Sequence, residues 1–187
     1  MTLDAYRAVL LAAIQRGTTS TETVRGDGSS ISNWIDGHHI LGDPLGLDAA
    51  SALVAHEALE AGADCVLGEV AAATSLVAGT VLHALRKGKL LLGRGLRRQP
   101  KTHGIQGLFT TSMEGIRRPI LVDDVAATGA AGERSVQALR SVGLAAVGLV
   151  VLVDREEGAR QRLEKLGVPL IALFKLRDLA GGATPRR

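Results

Sequence analysis

The stretch Pro119–Glu133, which reads PILVDDVAATGAAGE, joins four apolar residues to two adjacent acids and then to a turn of small residues. The apolar run is typical of a strand that is buried on both faces, and the small-residue turn leads into a helix. In a sheet of parallel strands, ligands bind at the carboxyl ends of the strands. Asp123 and Asp124 therefore stand where a binding site is expected.

Apolar runs and helical patterns alternate on both sides of this stretch. The predicted strands lie at 65–67, 90–92, 119–122, 145–153 and 168–174. The predicted helices lie at about 48–62, 74–86, 132–142 and 156–166. Near-continuous apolar strands that alternate with helices predict an α/β fold, in which a parallel sheet is flanked by helices on both faces.

The N-terminal part of the chain departs from this alternation. Apolar residues at helical spacing predict a first helix that ends at Gly17, and the Thr-, Ser-, Gly- and Asp-rich stretch 18–46 predicts loops and short strands. We therefore predict an N-terminal helix with a small lobe (1–46), an α/β core (47–180) and a frayed tail (181–187).

The composition excludes several classes of protein. With 46% hydrophobic and 22% charged residues among 187, the chain is an average globular one, not a disordered, collagen-like or coiled-coil one. A net charge of +3 is too small for a protein that coats nucleic acid, and 2% aromatic residues argue against base-stacking platforms. We expect no nucleic-acid partner.

Three features predict a soluble, cytoplasmic protein without membrane association. The longest apolar run, Leu144–Val153, is about half the length that spans a bilayer. Asp4 and Arg7 interrupt the N-terminal apolar positions that a signal peptide needs. The single Cys65, in an apolar stretch, is interpreted as a buried, inert thiol, which suits a reducing compartment.

Each part of Pro119–Glu133 suits a sugar phosphate. Gly129 and the flanking alanines let backbone N–H groups approach a phosphate, Thr128 adds a hydroxyl donor, and the helix N-terminus adds the positive end of its dipole. The two carboxylates accept hydrogen bonds from vicinal ribose hydroxyls and favour nearby positive charge, either Mg²⁺ or a developing oxocarbenium sugar. The alternative is a plain turn with a strand-end Asp and a helix-capping acid.

The stretch resembles the motif by which type I phosphoribosyltransferases bind phosphoribosyl pyrophosphate (PRPP): four apolar residues, two acids and a Thr-Thr-Gly or similar loop. Leu96–Gly104, which reads LRRQPKTHG, is similar to the mobile catalytic loop of the orotate phosphoribosyltransferases. Further segments that resemble this family are Gly28–Asp36, Gly42–Pro44, Val153–Gly158, Gly167–Leu170 and Leu173-Phe174. The likeness runs from about residue 26 to residue 180.

The resemblance implies a type I phosphoribosyltransferase fold in which 1–46 forms a hood that carries the substrate loop. The implied PRPP-binding residues are Asp123, Asp124, Val125, Ala126, Ala127, Thr128, Gly129, Ala130 and Ala131. The implied catalytic residues are Arg97, Arg98, Lys101, His103, Asp123 and Asp124. The implied base contacts are Ser29, Trp34 and Arg155, and Mg²⁺ would be held by Asp123, Asp124 and the ligand. Because the basic loop of this family closes over the neighbouring subunit's site, a homodimer is also implied.

The substrate side departs from the family pattern. Asp27-Gly28-Ser29 stands where the family has Ser-Gly-Lys, so that a lysine expected near orotate is absent. In Gly68–Ser75, alanines replace glycines, and Glu69 brings a negative charge near the expected pyrophosphate. Two roles are open to Glu69, binding Mg²⁺ or pairing with the basic loop. Arg98 replaces a lysine, and Ala127 replaces a hydroxyl residue.

The resemblance implies an enzyme that transfers the phosphoribosyl group of PRPP to a pyrimidine, with orotate as the default acceptor. Three alternatives stay open: a paralogue that uses another base, a PRPP-binding sensor without turnover, and an enzyme whose acids bind Mg²⁺ for phosphoryl chemistry. Single residues also have plainer interpretations. Arg155 forms a salt bridge with Glu156 or Glu157, Trp34 packs in the core, and the basic stretch is a solvated loop or a weak RNA contact.

Overall fold

A central sheet organises the chain. The computed structural model describes residues 1–19, 34–104 and 106–179, together with the backbone of 23–24 and 30–31. The helices are α1 (Leu3–Arg16), α2 (Gly37–Gly42), α3 (Pro44–Glu60), α4 (Thr74–Arg86), α5 (Ala130–Arg140), α6 (Ala159–Glu164) and α7 (Leu176–Leu179). The strands are β1 (Thr18–Thr19), β2 (Thr23–Val24), β3 (Ser30–Ile31), β4 (Trp34–Ile35), β5 (Cys65–Glu69), β6 (Leu92–Lys101), β7 (Gly107–Phe109), β8 (Pro119–Ala126), β9 (Leu149–Asp154) and β10 (Leu170–Lys175).

Within the described residues, six strands form this sheet in the order β10-β9-β8-β5-β6-β7. The strands from β10 to β6 run parallel, and β7 lies antiparallel to β6 at the edge. Two short antiparallel pairs, β1 with β4 and β2 with β3, precede the sheet in the chain. The predicted α/β fold is confirmed, with an antiparallel edge strand that the apolar runs do not predict.

Successive residues of the central strands face two different hydrophobic clusters, because side chains alternate across a strand. In β5, Val66 belongs to the cluster that also contains residues of α1, α3 and α4, whereas Leu67 belongs to the cluster of α5 and α6. In β8, Ile120 and Leu121 repeat this division. Helices therefore cover both faces of the sheet, as predicted. The division of the chain at 46/47 stays a prediction, and α3 crosses it.

The basic stretch, predicted as a loop, is a strand. β6 begins at Leu92, two residues later than predicted, and continues to Lys101. It pairs with β5 as far as the Glu69–Leu96 pair, and beyond that point with β7, where Lys101 pairs with Gly107. The outer half of β6 is held by backbone pairing at the sheet edge and needs no buried side chains. Its side chains are polar, so the sequence contains no apolar period from which this part of the strand could be predicted.

Several other bounds differ from the predicted ones. β8 extends to Ala126, so that both acids lie inside the strand and not after it. β9 begins at Leu149, and α6 is confined to Ala159–Glu164. The short helix α7 was not predicted, and the tail 181–187 lies outside the described residues.

Cys65 is a buried free thiol at the start of β5, as predicted. Burial raises its pKa to about 12, so that the reactive thiolate is scarce at neutral pH. In the part of the chain that the structure describes, none of the helices is both long and apolar enough to cross a bilayer.

Candidate active site

Asp123 and Asp124 lie near the carboxyl end of β8, on opposite faces of the strand. Both side chains are half-buried. The Asp124 N–H donates to Oδ1 of Asp123 at 3.0 Å, and the Val125 N–H donates to Oδ1 of Asp124 at 2.7 Å. Burial above all, and then the negative charges of Asp124 and Glu69, raise the pKa of Asp123 to about 8. The site therefore favours a bound proton or a nearby cation.

Asp124 faces the first residue of α2. A Cβ atom at Gly37 would overlap Oδ2 and Cγ of Asp124. The helix is fixed at this end by Asp36, whose Oδ1 accepts a hydrogen bond from the His39 N–H at 3.0 Å. Sequence reasoning missed Gly37, because the contact joins two segments that are far apart in the chain and no local pattern marks it.

The predicted phosphate-binding segment, Val125–Gly129, begins with the last two residues of β8 and continues as a loop into α5. Gly129 has a φ of 79°, and it caps α5 without a side-chain hydrogen bond, so that the first N–H groups of the helix have no side-chain acceptor there. The carbonyls of Ala126 and Ala127 accept from the N–H groups of Arg155 and Ala159, at 2.8 and 3.1 Å. These two bonds fix the loop against the turn that follows β9. Free N–H groups at a helix N-terminus suit an anion, and phosphate binding by this segment stays a prediction.

The basic residues of β6 have different surroundings. One guanidinium nitrogen of Arg97 donates to the carbonyls of Gly107 and Phe109 at 3.0 and 2.6 Å, and so braces the β6–β7 hairpin. Lys101 and His103 are exposed at the far end of the hairpin. Among the described residues, neither one has a hydrogen bond or an ion pair with the two aspartates. Arg98 forms an ion pair with Glu69, whereas Lys101 and His103 have no such pair within the described part of the chain.

Glu69, the last residue of β5, is the partner of Arg98. The Glu69 side chain is 7% exposed, and its two oxygens accept from Nε of Arg98 at 3.0 Å and from a terminal nitrogen of Arg134 at 3.3 Å. Two roles were open to Glu69, binding Mg²⁺ or pairing with the basic stretch. The structure shows the second of them, in the ion pair with Arg98. Arg134, one turn into α5, was missed. The one feature of the sequence that could have indicated Arg134 is its position one helical turn after Ala130. The Val70–Ala71 peptide bond that follows Glu69 is cis.

The predicted base-binding residues are only partly described. Ser29 lies outside the described residues. Trp34 is 38% exposed on β4, which argues against the alternative of a core tryptophan. Arg155 is buried, and its Nε donates to Glu157 Oε1 at 2.8 Å, which is one of the ion pairs that the sequence left open. The role of these residues in base binding stays a prediction.

Relatives of the chain are orotate phosphoribosyltransferases. The one from Aquifex aeolicus is 39% identical over 84 residues, which are 45% of this chain and 46% of that protein. The one from Pyrococcus abyssi is 32% identical over 158 residues, which are 81% of this chain and 82% of that protein. The chain belongs to the orotate phosphoribosyltransferase family. No protein-family model matches it.

The relatives that match over 84 residues are longer than the matched part. The chain spans less than half of the length of the protein from Aquifex aeolicus, for example. Solved structures of orotate phosphoribosyltransferases match nearly the whole chain. The enzyme from Mycobacterium tuberculosis, in complex with Fe(III) dicitrate, has a TM-score of 0.81 at 22% identity and covers 93% of this chain and 98% of its own. The enzyme from Aeropyrum pernix has a TM-score of 0.71 at 29% identity, covering 95% and 99%. The Mycobacterium tuberculosis protein has also been crystallised with PRPP. The predicted resemblance and the predicted fold class are both confirmed.

Proposed function

We propose that this protein transfers the phosphoribosyl group of PRPP to orotate, giving orotidine 5'-phosphate and pyrophosphate. One observation carries the proposal: Asp123 and Asp124 lie directly before the Val125–Gly129 loop at the N-terminus of α5, in a chain of the orotate phosphoribosyltransferase family. Carboxylates and a phosphate site at this spacing match the two ends of a ribose phosphate.

The ligand would be held at three points. The 5-phosphate lies at the Val125–Gly129 loop, where backbone N–H groups and the Thr128 hydroxyl donate to it. The ribose hydroxyls donate to the carboxylates of Asp123 and Asp124. The pyrophosphate on C1 then points toward the end of β5, where Arg98 and Arg134, the partners of Glu69, provide positive charge.

The transfer needs charge placement more than acid–base chemistry. The bond from C1 to the pyrophosphate oxygen breaks, and its electron pair leaves with the oxygen. A lone pair on the ring nitrogen of the pyrimidine forms the new bond to C1, and the proton that this nitrogen carried passes to the leaving pyrophosphate or to water. In between, C1 carries oxocarbenium character, which the two carboxylates stabilise, while arginine and lysine side chains stabilise the charge on the leaving pyrophosphate. Holding both substrates in line lowers the entropic part of the barrier.

Asp123 and Asp124 are the residues that would hold Mg²⁺. Mg²⁺ prefers oxygen ligands such as carboxylates, and it keeps several waters or substrate oxygens in its shell. Among the described residues, no group of three or more His, Cys, Asp or Glu side chains is arranged to hold a metal ion. Two carboxylates fit an ion that completes its shell with PRPP oxygens and water. Mg²⁺ bound there would neutralise charge on the pyrophosphate.

A homodimer that shares the basic hairpin is part of the proposal. Lys101 and His103 are exposed on the hairpin, and within the described ranges they form no hydrogen bond or ion pair with Asp123 or Asp124 of their own chain, which supports a role in a partner subunit's site. An exposed apolar surface at the end of α4 and the start of β6 supports an interface there. Its residues are Leu82, Leu85, Leu90 and Leu92.

The buried free thiol of Cys65 supports a cytoplasmic location.

A second candidate function is a PRPP-binding sensor without turnover. Glu69 favours it, because a buried carboxylate between Arg98 and Arg134 weakens the positive field that a leaving pyrophosphate needs. A paralogue that uses another base is favoured by Asp27-Gly28-Ser29, which lacks the lysine expected near orotate.

One experiment separates these candidates. The protein is mixed with Mg²⁺, PRPP and a pool of orotate and other free bases, and nucleotide products are identified by mass spectrometry. Orotidine 5'-phosphate supports the proposal, and another nucleotide identifies a different acceptor. PRPP that stays intact while the protein binds it supports the sensor.

A further inference from the structure

Glu69, Arg98 and Arg134 form a cluster at the carboxyl edge of the sheet. The carboxylate of Glu69 is almost entirely buried, whereas the side chains of Arg98 and Arg134 are 69% and 56% exposed. A buried acid therefore holds two arginines whose outer surfaces remain open to solvent. No hydrogen bond or ion pair of Arg98 or Arg134 with another acid occurs within the described residues.

The cluster lies on the same face of the sheet as Asp123. Glu69 follows Leu67 by two residues in β5, and Asp123 follows Leu121 by two residues in β8, and both leucines belong to the cluster of α5 and α6. Because side chains two residues apart share a face of a strand, Glu69 and Asp123 point to one side of the sheet. Arg98 lies on the same side, since its Nε donates to Glu69 at 3.0 Å. Burial and the charge of Asp124 are the larger causes of the raised pKa of Asp123, and the negative charge of Glu69 adds to them.

Open space adjoins the two arginines. A groove of about 600 Å³ lies between β6 and α5, and Glu69, Arg98 and Arg134 are among the residues that line it. On the other side of β8, the neighbouring strand β9 ends in Asp154, and the next residue, Arg155, is paired with Glu157. Positive charge for a phosphate group on C1 of the ribose is therefore available on the β5–β6 side.

We propose that Glu69 competes with pyrophosphate for Arg98 and Arg134. In the free protein Glu69 holds both arginines, and the pyrophosphate group of PRPP takes them over when it binds. The inference rests on the proposed function for the position of the pyrophosphate. A buried carboxylate that loses its partners is destabilised, so Glu69 weakens the binding of pyrophosphate and favours its release after transfer. Glu69 is thus a residue that sets affinity, not a group that reacts.

The test is the affinity for inorganic pyrophosphate, measured by calorimetry without any base. Glu69→Gln keeps the size of the side chain and removes its charge, and we expect it to bind pyrophosphate about tenfold more tightly than the native protein does. Glu133→Gln is the matched control. Glu133 lines the same groove, but its side chain is 40% exposed and pairs with Arg162 at 3.2 Å. We expect the control to change the affinity by less than about twofold.

A second pair of variants does not depend on the folding of Glu69→Gln. Arg98→Gln and Arg134→Gln should each weaken pyrophosphate binding about tenfold, and the gain from Glu69→Gln should shrink when Arg134→Gln is also present. Unchanged or weaker binding by Glu69→Gln, or native affinity in both arginine variants, would overturn the inference. Tight binding of PRPP without product from any base would instead overturn the proposed transferase activity and leave the competition intact.

Discussion

Gly37 and Asp124 are in direct contact, and the carboxylate of Asp124 fills the space that any Cβ atom at position 37 would need. The first residue of α2 is therefore fixed as glycine by an acid in another layer of the fold. This contact also limits where the Asp124 carboxylate can lie.

We expect Gly37→Ala to displace Asp124 and to lower kcat/KM for PRPP about a hundredfold, a loss comparable to that of one preorganised group. Steady-state kinetics with PRPP varied measures the effect. Gly42→Ala, at the other end of the same helix, is the control, because a Cβ atom there would meet nothing within 4 Å. Equal kinetics for the two variants would contradict a positioning role for Gly37.

The ligand-free protein should become less stable as the pH rises from about 4 to about 8. The pKa of Asp123 is raised to about 8 in the fold, whereas an unfolded Asp titrates near 4, so in this window the folded state binds a proton that the unfolded state has lost. Asp123→Asn removes this dependence. At pH 8 we expect its Tm to exceed that of the native protein by at least about 3 °C, the shift that about 1 kcal/mol causes at this size.

Thermal unfolding at pH 5 and at pH 8 measures the difference. Asp4→Asn, an exposed acid in the first turn of α1, controls for the loss of one negative charge. A Tm difference between Asp123→Asn and the native protein that is the same at both pH values would contradict the raised pKa. The same variant should lose turnover by about two orders of magnitude, since it removes a group that stabilises the transition state.

Sharing of the hairpin between subunits predicts complementation. Asp124→Asn and Lys101→Ala should each be inactive alone. After the two are mixed and allowed to exchange subunits, half of the dimers are mixed, and each mixed dimer has one intact site. We therefore expect about a quarter of the native activity to return. Lys101→Ala mixed with His103→Ala is the control, because both changes lie in the same hairpin. If no activity returns in the first mixture, the proposal that the hairpin is shared between subunits is wrong.

Arg155 should act on the base and not on PRPP. We expect Arg155→Gln to raise the KM for orotate at least about tenfold, because a planar carboxylate loses a bidentate partner, and to leave the KM for PRPP within about twofold. Glu157→Gln breaks the ion pair but keeps the guanidinium, so it separates base binding from a structural role. If both variants raise both KM values alike, Arg155 holds the fold and does not contact the base.

The sequence predicts those features that a local pattern determines. The apolar period of α4 predicts its bounds to the residue, and the string around Asp123 and Thr128 predicts the acids and the phosphate loop together. The outer half of β6 has no apolar period. Backbone pairing with β7 stabilises it, so its side chains do not need to be apolar. The contact of Glu69 with Arg134 joins residues 65 positions apart in the chain, and no local signal marks it.

Trp34 is the one tryptophan in the sequence, and its ring is partly open to solvent. It stands two residues before Asp36, which caps the helix whose first residue contacts Asp124. The indole emission of the protein therefore comes from a single position next to the proposed site, with no second tryptophan to dilute it. A fluorescence titration with PRPP, or with a base, would follow occupancy of the site in unlabelled protein.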